Sequence, residues 1–169
     1  MEAFEAIYTR RSVRKYTSQP VSEELVQELL EAAMHAPSAG NEQPWHFVVI
    51  RDRQTLDAIP AFHPYAAMIR QTSVAILVCG EPALEKYNGR WMLDCSAATQ
   101  NILLAARARG LGTVWVGIYP EAARMAGIRK LLSIPEDITP CSLIPVGYPA
   151  EEVPQPNRFN VSRVHYDKW

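Results

Sequence analysis

Little in this 169-residue chain matches the sequence marks of a self-sufficient catalytic site. Ser-based nucleophile elbows, Walker loops and HExxH pairs are all missing, so nothing points to a hydrolase. Cysteine is scarce: Cys79, Cys95 and Cys141 are odd in number, far apart and set among apolar residues, with no Cys-x-x-Cys pair. They read as buried thiols and not as a disulfide framework or a thiolate metal site. The four histidines, His35, His46, His63 and His165, lack the paired spacing that a helix-borne metal site requires, and each reads as structural. Apolar runs fall far short of a membrane span, and the acidic start Met-Glu-Ala-Phe-Glu is no basic-then-apolar leader. The expectation is a cytoplasmic protein with no membrane partner. Charge of one sign is not in excess either. Seventeen basic against eighteen acidic residues give a formal net charge of -1, which leaves no broad basic surface for nucleic acid. Internal repeats and low-complexity tracts are absent. What remains, with 48% hydrophobic content, predicts one globular domain over residues 1–169.

Against this plain background one stretch stands out, Thr9-Arg10-Arg11-Ser12-Val13-Arg14-Lys15-Tyr16, with four positive side chains and hydroxyls among them. Arginine carries a permanent charge on a planar fork matched to phosphate oxygens, and Ser12 adds a neutral donor, so the stretch reads as an anion grip. The same charges also suit the negative end of a helix dipole, which is the simpler account of Arg10 and Arg11. A second stretch, Ala36-Pro37-Ser38-Ala39-Gly40-Asn41-Glu42-Gln43-Pro44-Trp45-His46-Phe47, sets polar amides in a Pro/Gly-bounded loop ahead of a hydrophobic strand.

The order of elements constrains function further. Phe4, Ile7 and Tyr8 at helical spacing predict a short helix over residues 2–10 that delivers the arginine cluster. Ser22 reads as an N-cap for a helix ending near Met34, stopped by Pro37. A strand is predicted over 46–51, short helices over 52–58 and 60–71, and a strand buried on both faces over 74–79. Residues 91–109, free of Pro and Gly, predict the longest helix and the central packing element. Gly110-Leu-Gly112 ends it, followed by a strand over 113–118, a helix over 120–132 and a strand over 142–146. A dinucleotide fingerprint needs strand, glycine turn, then helix; here glycines lead from a helix into a strand, which excludes a Rossmann site. From Pro149 the composition predicts an extended arm over 149–169 whose terminal aromatics dock on a second subunit. An anion grip and an amide loop without an evident acid, base or nucleophile point to a cofactor that brings the chemistry.

Taken in order, Arg10-Arg-Ser-Val-Arg14, Pro37-Ser-Ala-Gly-Asn41-Glu-Gln43-Pro-Trp45, Gly110-Leu-Gly-Thr-Val-Trp-Val-Gly117 and a tail with Arg158 and His165-Tyr166 resemble the FMN-dependent nitroreductase family over nearly the whole chain. The resemblance implies an α+β fold: a mixed, mostly antiparallel central sheet flanked by helices, in an intertwined homodimer with FMN at two interface sites. It implies that Arg10, Ser12 and Arg158, with Arg11 contributing, hold the phosphate and ribityl end, and that Arg14 reaches the N1/O2 edge of the flavin. Pro37, Ser38, Ala39 and Asn41, with Gln43 nearby, would come from the other subunit, and Val116 and Gly117 would present backbone N–H toward flavin N5. On the segment 65–71, where many members add a ring contact, the candidates here are Met68 and Gln71. The implied activity is NADH- or NADPH-dependent hydride transfer through N5 to nitroaromatic or quinone acceptors by a ping-pong cycle. A specialised flavoenzyme for one metabolite and a non-catalytic flavin-binding redox module are the alternatives. The chain is short for the family, which implies an open pocket.

Overall fold

The computed structural model describes residues 1–169. Its centre is an antiparallel sheet in the order β1 (Trp45–Ile50), β2 (Val74–Gly80), β5 (Thr139–Gly147) and β3 (Gly112–Thr113), with β4 (Val116–Gly117) also paired to β5. All seven residues of β2 are buried, as its unbroken apolar run predicts. The two-residue period of the strand divides them between two cores. Val74, Ile76 and Val78 face one core, packed by α2 (Glu23–Met34) and α4 (Trp91–Ala108). Ala75, Leu77 and Cys79 face the other, covered by α3 (Arg53–Ala58) and α5 (Ala122–Leu132). The sheet is therefore flanked by helices on both faces, and the one parallel element is an isolated bridge between Ser12 and Thr113.

Several local expectations are corrected by the chain's own chemistry. The strand expected over 113–118 is split into β3 and β4 although its register on β5 is continuous, Thr113 opposite Val146 and Val116 opposite Leu143. Between them lies Pro145, which has no N–H to donate to the ladder. The other strands run close to their expected limits, β5 being longer by Thr139–Gly147 than the predicted 142–146 and carrying a bulge at Cys141. The helix expected over 60–71 is instead two 3-10 turns, Ile59–Ala61 and Ala67–Gln71. The helix expected from Pro120 begins at Ala122.

Ser22 caps α2 as expected, accepting from the Leu25 N–H at 3.3 Å. The three cysteines are buried and unpaired, and burial pushes the Cys79 and Cys141 thiols up to about 12. The four histidines fall in four separate places. The apolar face of α1 (Ala3–Thr9) finds no cover within the chain: Phe4 is 71% exposed, and Ile7 and Tyr8 lie open beside it. From residue 151 onward every residue is exposed, Trp169 completely. No helix is long and apolar enough to cross a membrane.

Candidate active site

The arginine stretch leaves α1 and runs alongside β3. Val13 N–H donates to the Thr113 carbonyl at 2.9 Å, and the Ser12–Thr113 bridge fixes the register. Farther on, Thr17 N–H donates to the Tyr148 carbonyl and Ala150 N–H to the Lys15 carbonyl, so the start of the arm is laced to the same segment. The arm then turns back. Arg11 donates through Nε to the Pro154 carbonyl at 3.0 Å and through its other nitrogens to the carbonyls of Tyr8 and Arg10. The Arg11 fork is thus engaged by backbone and holds the arm, while the arm brings Arg158 into the cavity that Arg10 and Arg11 line. Burial, then the nearby charges of Arg158 and Arg11, push the Arg10 pKa down. A half-buried guanidinium crowded by its own sign is a ready receptor for an anion. Arg107, on the last turn of α4, lines an adjoining cavity with Arg10, Arg11, Glu151 and Glu152 and donates to the Thr9 hydroxyl at 2.8 Å.

Four residues beyond Arg10, Arg14 lines a different cavity of about 480 Å³, shared with Met68, residues 114–117, His63, Tyr65 and Arg124. Its only hydrogen bond is a long 3.5 Å approach to the Ser12 carbonyl, so its fork is open. At an extended rise the two arginine backbones stand about 13 Å apart. The cavity wall is set by Gly117. A Cβ built there would meet nothing within 4 Å, in contrast to Gly112, Gly80 and Gly147, where it would strike Val13, Trp91 and Tyr16. The Gly117 carbonyl is held by two donors, His63 Nε2 at 2.9 Å and Arg124 at 3.0 Å. His63 Nδ1 accepts from the Tyr65 N–H, which assigns the neutral Nε2–H tautomer. Gln71 is drawn away from this space, its side-chain oxygen accepting from Tyr16 N–H at 3.2 Å; of the two candidates on that segment only Met68 lines the cavity.

Residues 37–43 lie elsewhere. Asp94, on the first turn of α4, accepts from Ala39 N–H at 3.1 Å, whereas Arg107 meets α1 thirteen residues later on the same helix. At 1.5 Å per residue the amide loop and the arginine corner are about 20 Å apart within one chain. The loop is tightly built. Gly40, Asn41 and Gln43 all have positive φ, a conformation that Gln adopts at a cost of about 1 kcal/mol or more. Ser38 Oγ accepts from Gln43 N–H, Asn41 accepts from the Gln43 amide at 2.8 Å, and Lys86 donates to the Gly40 carbonyl. Beneath it lies a buried carboxyl pair that the sequence did not reveal, Asp94 and Glu42, each with one oxygen that has no partner. Burial raises the Asp94 pKa, and the adjacent Glu42 raises it further.

A family model described as the nitroreductase family matches residues 7–72 and 62–148. The chain belongs to the nitroreductase family. A relative from Methanothermobacter thermautotrophicus, provisionally named NADH dehydrogenase/NAD(P)H nitroreductase, is 53% identical over 169 residues, covering 100% of this chain and 88% of the relative. A crystal structure from Parabacteroides distasonis with the same provisional name matches with a TM-score of 0.95 at 42% identity, over 99% of this chain and 98% of that one. A provisionally named nitroreductase from Desulfovibrio desulfuricans, solved in complex with FMN, matches with a TM-score of 0.87 at 32% identity, over 100% and 98% of the two chains. The helix-flanked antiparallel sheet is accordingly the nitroreductase fold.

Arg107, Arg124 and His63 carry no local motif, and each enters its cavity from outside the stretches that the sequence marks. The Asp94–Glu42 pair yields a pH prediction. A carboxyl whose folded pKa is raised binds more protons in the folded than in the unfolded chain, so its contribution to stability falls as pH rises from the ordinary carboxylate range into the raised one. Asp94→Asn can still accept from Ala39 and can donate to Glu42. It should stabilise the protein by about 1 kcal/mol at pH 8 and by much less at pH 4, measured by urea denaturation at the two pH values.

Proposed function

We propose that this chain is an FMN-dependent NAD(P)H oxidoreductase that works as a homodimer on small, flat acceptors of nitroaromatic or quinone type. The observation that carries the reading is the open space at Gly117. The protein's own packing would admit a side chain there, yet the position is a glycine on the wall of a cavity that an open arginine fork also lines. A flat ring in that space would meet the Gly117 backbone and the Arg14 cation, while a phosphate some 13 Å along the extended segment would meet the Arg10 corner. The names of the relatives and the FMN bound to the Desulfovibrio desulfuricans protein support the same ligand.

In this reading Arg10 and Arg158 hold the phosphate, Ser12 adds a hydroxyl, and Arg11 contributes mainly by fixing the arm. Arg14 supplies the positive charge toward the N1 side, where it favours the reduced, anionic form. Val116 and Gly117 present backbone toward N5. Pro37, Ser38, Ala39, Asn41 and Gln43 are read as coming from a second copy of the chain, since none of them lines the Gly117 cavity or the arginine corner of its own chain. The exposed face of α1 and the aromatic arm over 149–169 are the surfaces that a second copy would cover. The chain is thus read as one flavin-binding domain with an embracing arm, and its three reduced, buried thiols fit a cytoplasmic setting. The redox chemistry supplied by bound FMN is hydride transfer at N5, from NADH or NADPH and on to the acceptor in a ping-pong cycle. The chain's part is to bind, orient and shield; proximity in a shared slot replaces a dedicated catalytic acid.

Two experiments test the reading. Gly117→Ala should fold with an unchanged urea midpoint, because its methyl meets open space, yet bind FMN about tenfold more weakly or worse; equal FMN affinity in titrations of both proteins would place the ring elsewhere. FMN-loaded protein mixed anaerobically with NADH or NADPH should lose its visible flavin bands and regain them on addition of a quinone. Flavin that neither nicotinamide bleaches would make the protein a flavin-binding module without turnover.

A further inference from the structure

Arg124 spends one donor on the Gly117 carbonyl, and its surroundings leave the others free. Its guanidinium is half-buried on the wall of the 480 Å³ cavity, lies 5.5 Å from the centre of the Tyr65 ring and donates a single N–H to the Gly117 carbonyl. A guanidinium carries five N–H donors; no other hydrogen bond and no ion pair engages this one. No aspartate or glutamate lines the cavity, and its second cation, Arg14, stands by residues 114–117 on the proposed N1 side of the slot. The remaining lining is largely apolar or aromatic: Pro64, Tyr65, Ala67, Met68, Val114 and Trp115. A cation held in place by a ring face and a carbonyl, with its outer donors spare and no counter-charge, is built to meet a planar oxyanion in bidentate fashion.

We propose that Arg124 is a specificity-determining residue that selects flat aromatic acceptors bearing a carboxylate over their neutral counterparts. The inference rests on the flavin reading above and deepens it by naming the acceptor's charge. Arg124 reaches the cavity from the Gly117 wall, so the group it meets sits at the edge of the ring slot. A carboxylate on an aromatic ring lies there, whereas the pyrophosphate of a nicotinamide dinucleotide is set off from its ring by a ribose.

The test uses FMN-loaded protein and two dead-end ligands of equal shape, benzoate and benzamide, with affinity read from the perturbation of the flavin absorbance. Wild-type protein should bind benzoate about tenfold more tightly than benzamide, the ratio shrinking as salt is raised. Arg124→Gln should abolish the ratio by weakening benzoate alone, and Arg124→Lys should restore part of it. Equal affinity of the wild-type protein for the two ligands overturns the proposal, as does an equal loss of both in Arg124→Gln, which would mark a purely structural role. A variant that weakens NADH binding while keeping the benzoate preference also overturns it, assigning the oxyanion to the donor. Should Arg124→Gln fail to hold FMN, the wild-type ratio and its salt dependence decide. Failure of the flavin reading looks different: the protein would take up no FMN before any ligand is added.

Discussion

The bond from Val13 N–H to the Thr113 carbonyl, with the parallel Ser12–Thr113 bridge around it, is the contact on which the rest of the site depends. It docks the arginine segment against the edge of the sheet, so that Arg10 falls at the end of α1 and α4 while Arg14 falls beside Gly117. The close approach has a stereochemical requirement. A Cβ at Gly112 would stand 2.8 Å from Val13, so the second glycine of Gly110-Leu-Gly112 serves the docking of the N-terminal segment and not a phosphate turn. Gly147 does the same service for Tyr16, whose hydroxyl donates back to the Val13 carbonyl at 2.6 Å. Two glycines and one tyrosine thus hold the cationic strip in register.

The site combines rigid and unfinished parts. Gly117 is held by His63 and Arg124, and the amide loop is pinned through Asp94, Glu42 and Lys86 despite three positive φ angles. Burying two carboxyls side by side opposes folding unless they share a proton, which offsets the unpartnered oxygens of both. Yet the arginine corner and the amide loop lie near opposite ends of α4, and the apolar face of α1 and the aromatic arm face solvent.

Much of this was legible in the sequence where one local rule decides. The apolar run of β2, the Ser22 cap and the uninterrupted pattern of α4 each state their structure without help from the rest of the chain. The split of β3 from β4 was not legible, because it is caused by Pro145 on the partner strand, thirty residues away. The arginine strip and the loop over 37–43 could be marked as candidates by composition and by resemblance. The divided use of their members could not: Arg11 turned to backbone carbonyls, Gln71 to Tyr16, and Arg107 and Arg124 brought in from helices. Side-chain allegiance is settled by three-dimensional neighbours, and no spacing rule encodes it.

The central claim is that two chains share each flavin, one giving the arginine strip and Gly117, the other the amide loop. Native mass spectrometry of the protein loaded with FMN tests it most directly. The account predicts a species of two chains carrying two FMN, with no flavin on the monomer at any concentration. A flavin-loaded monomer, or a dimer that takes up none, would contradict it.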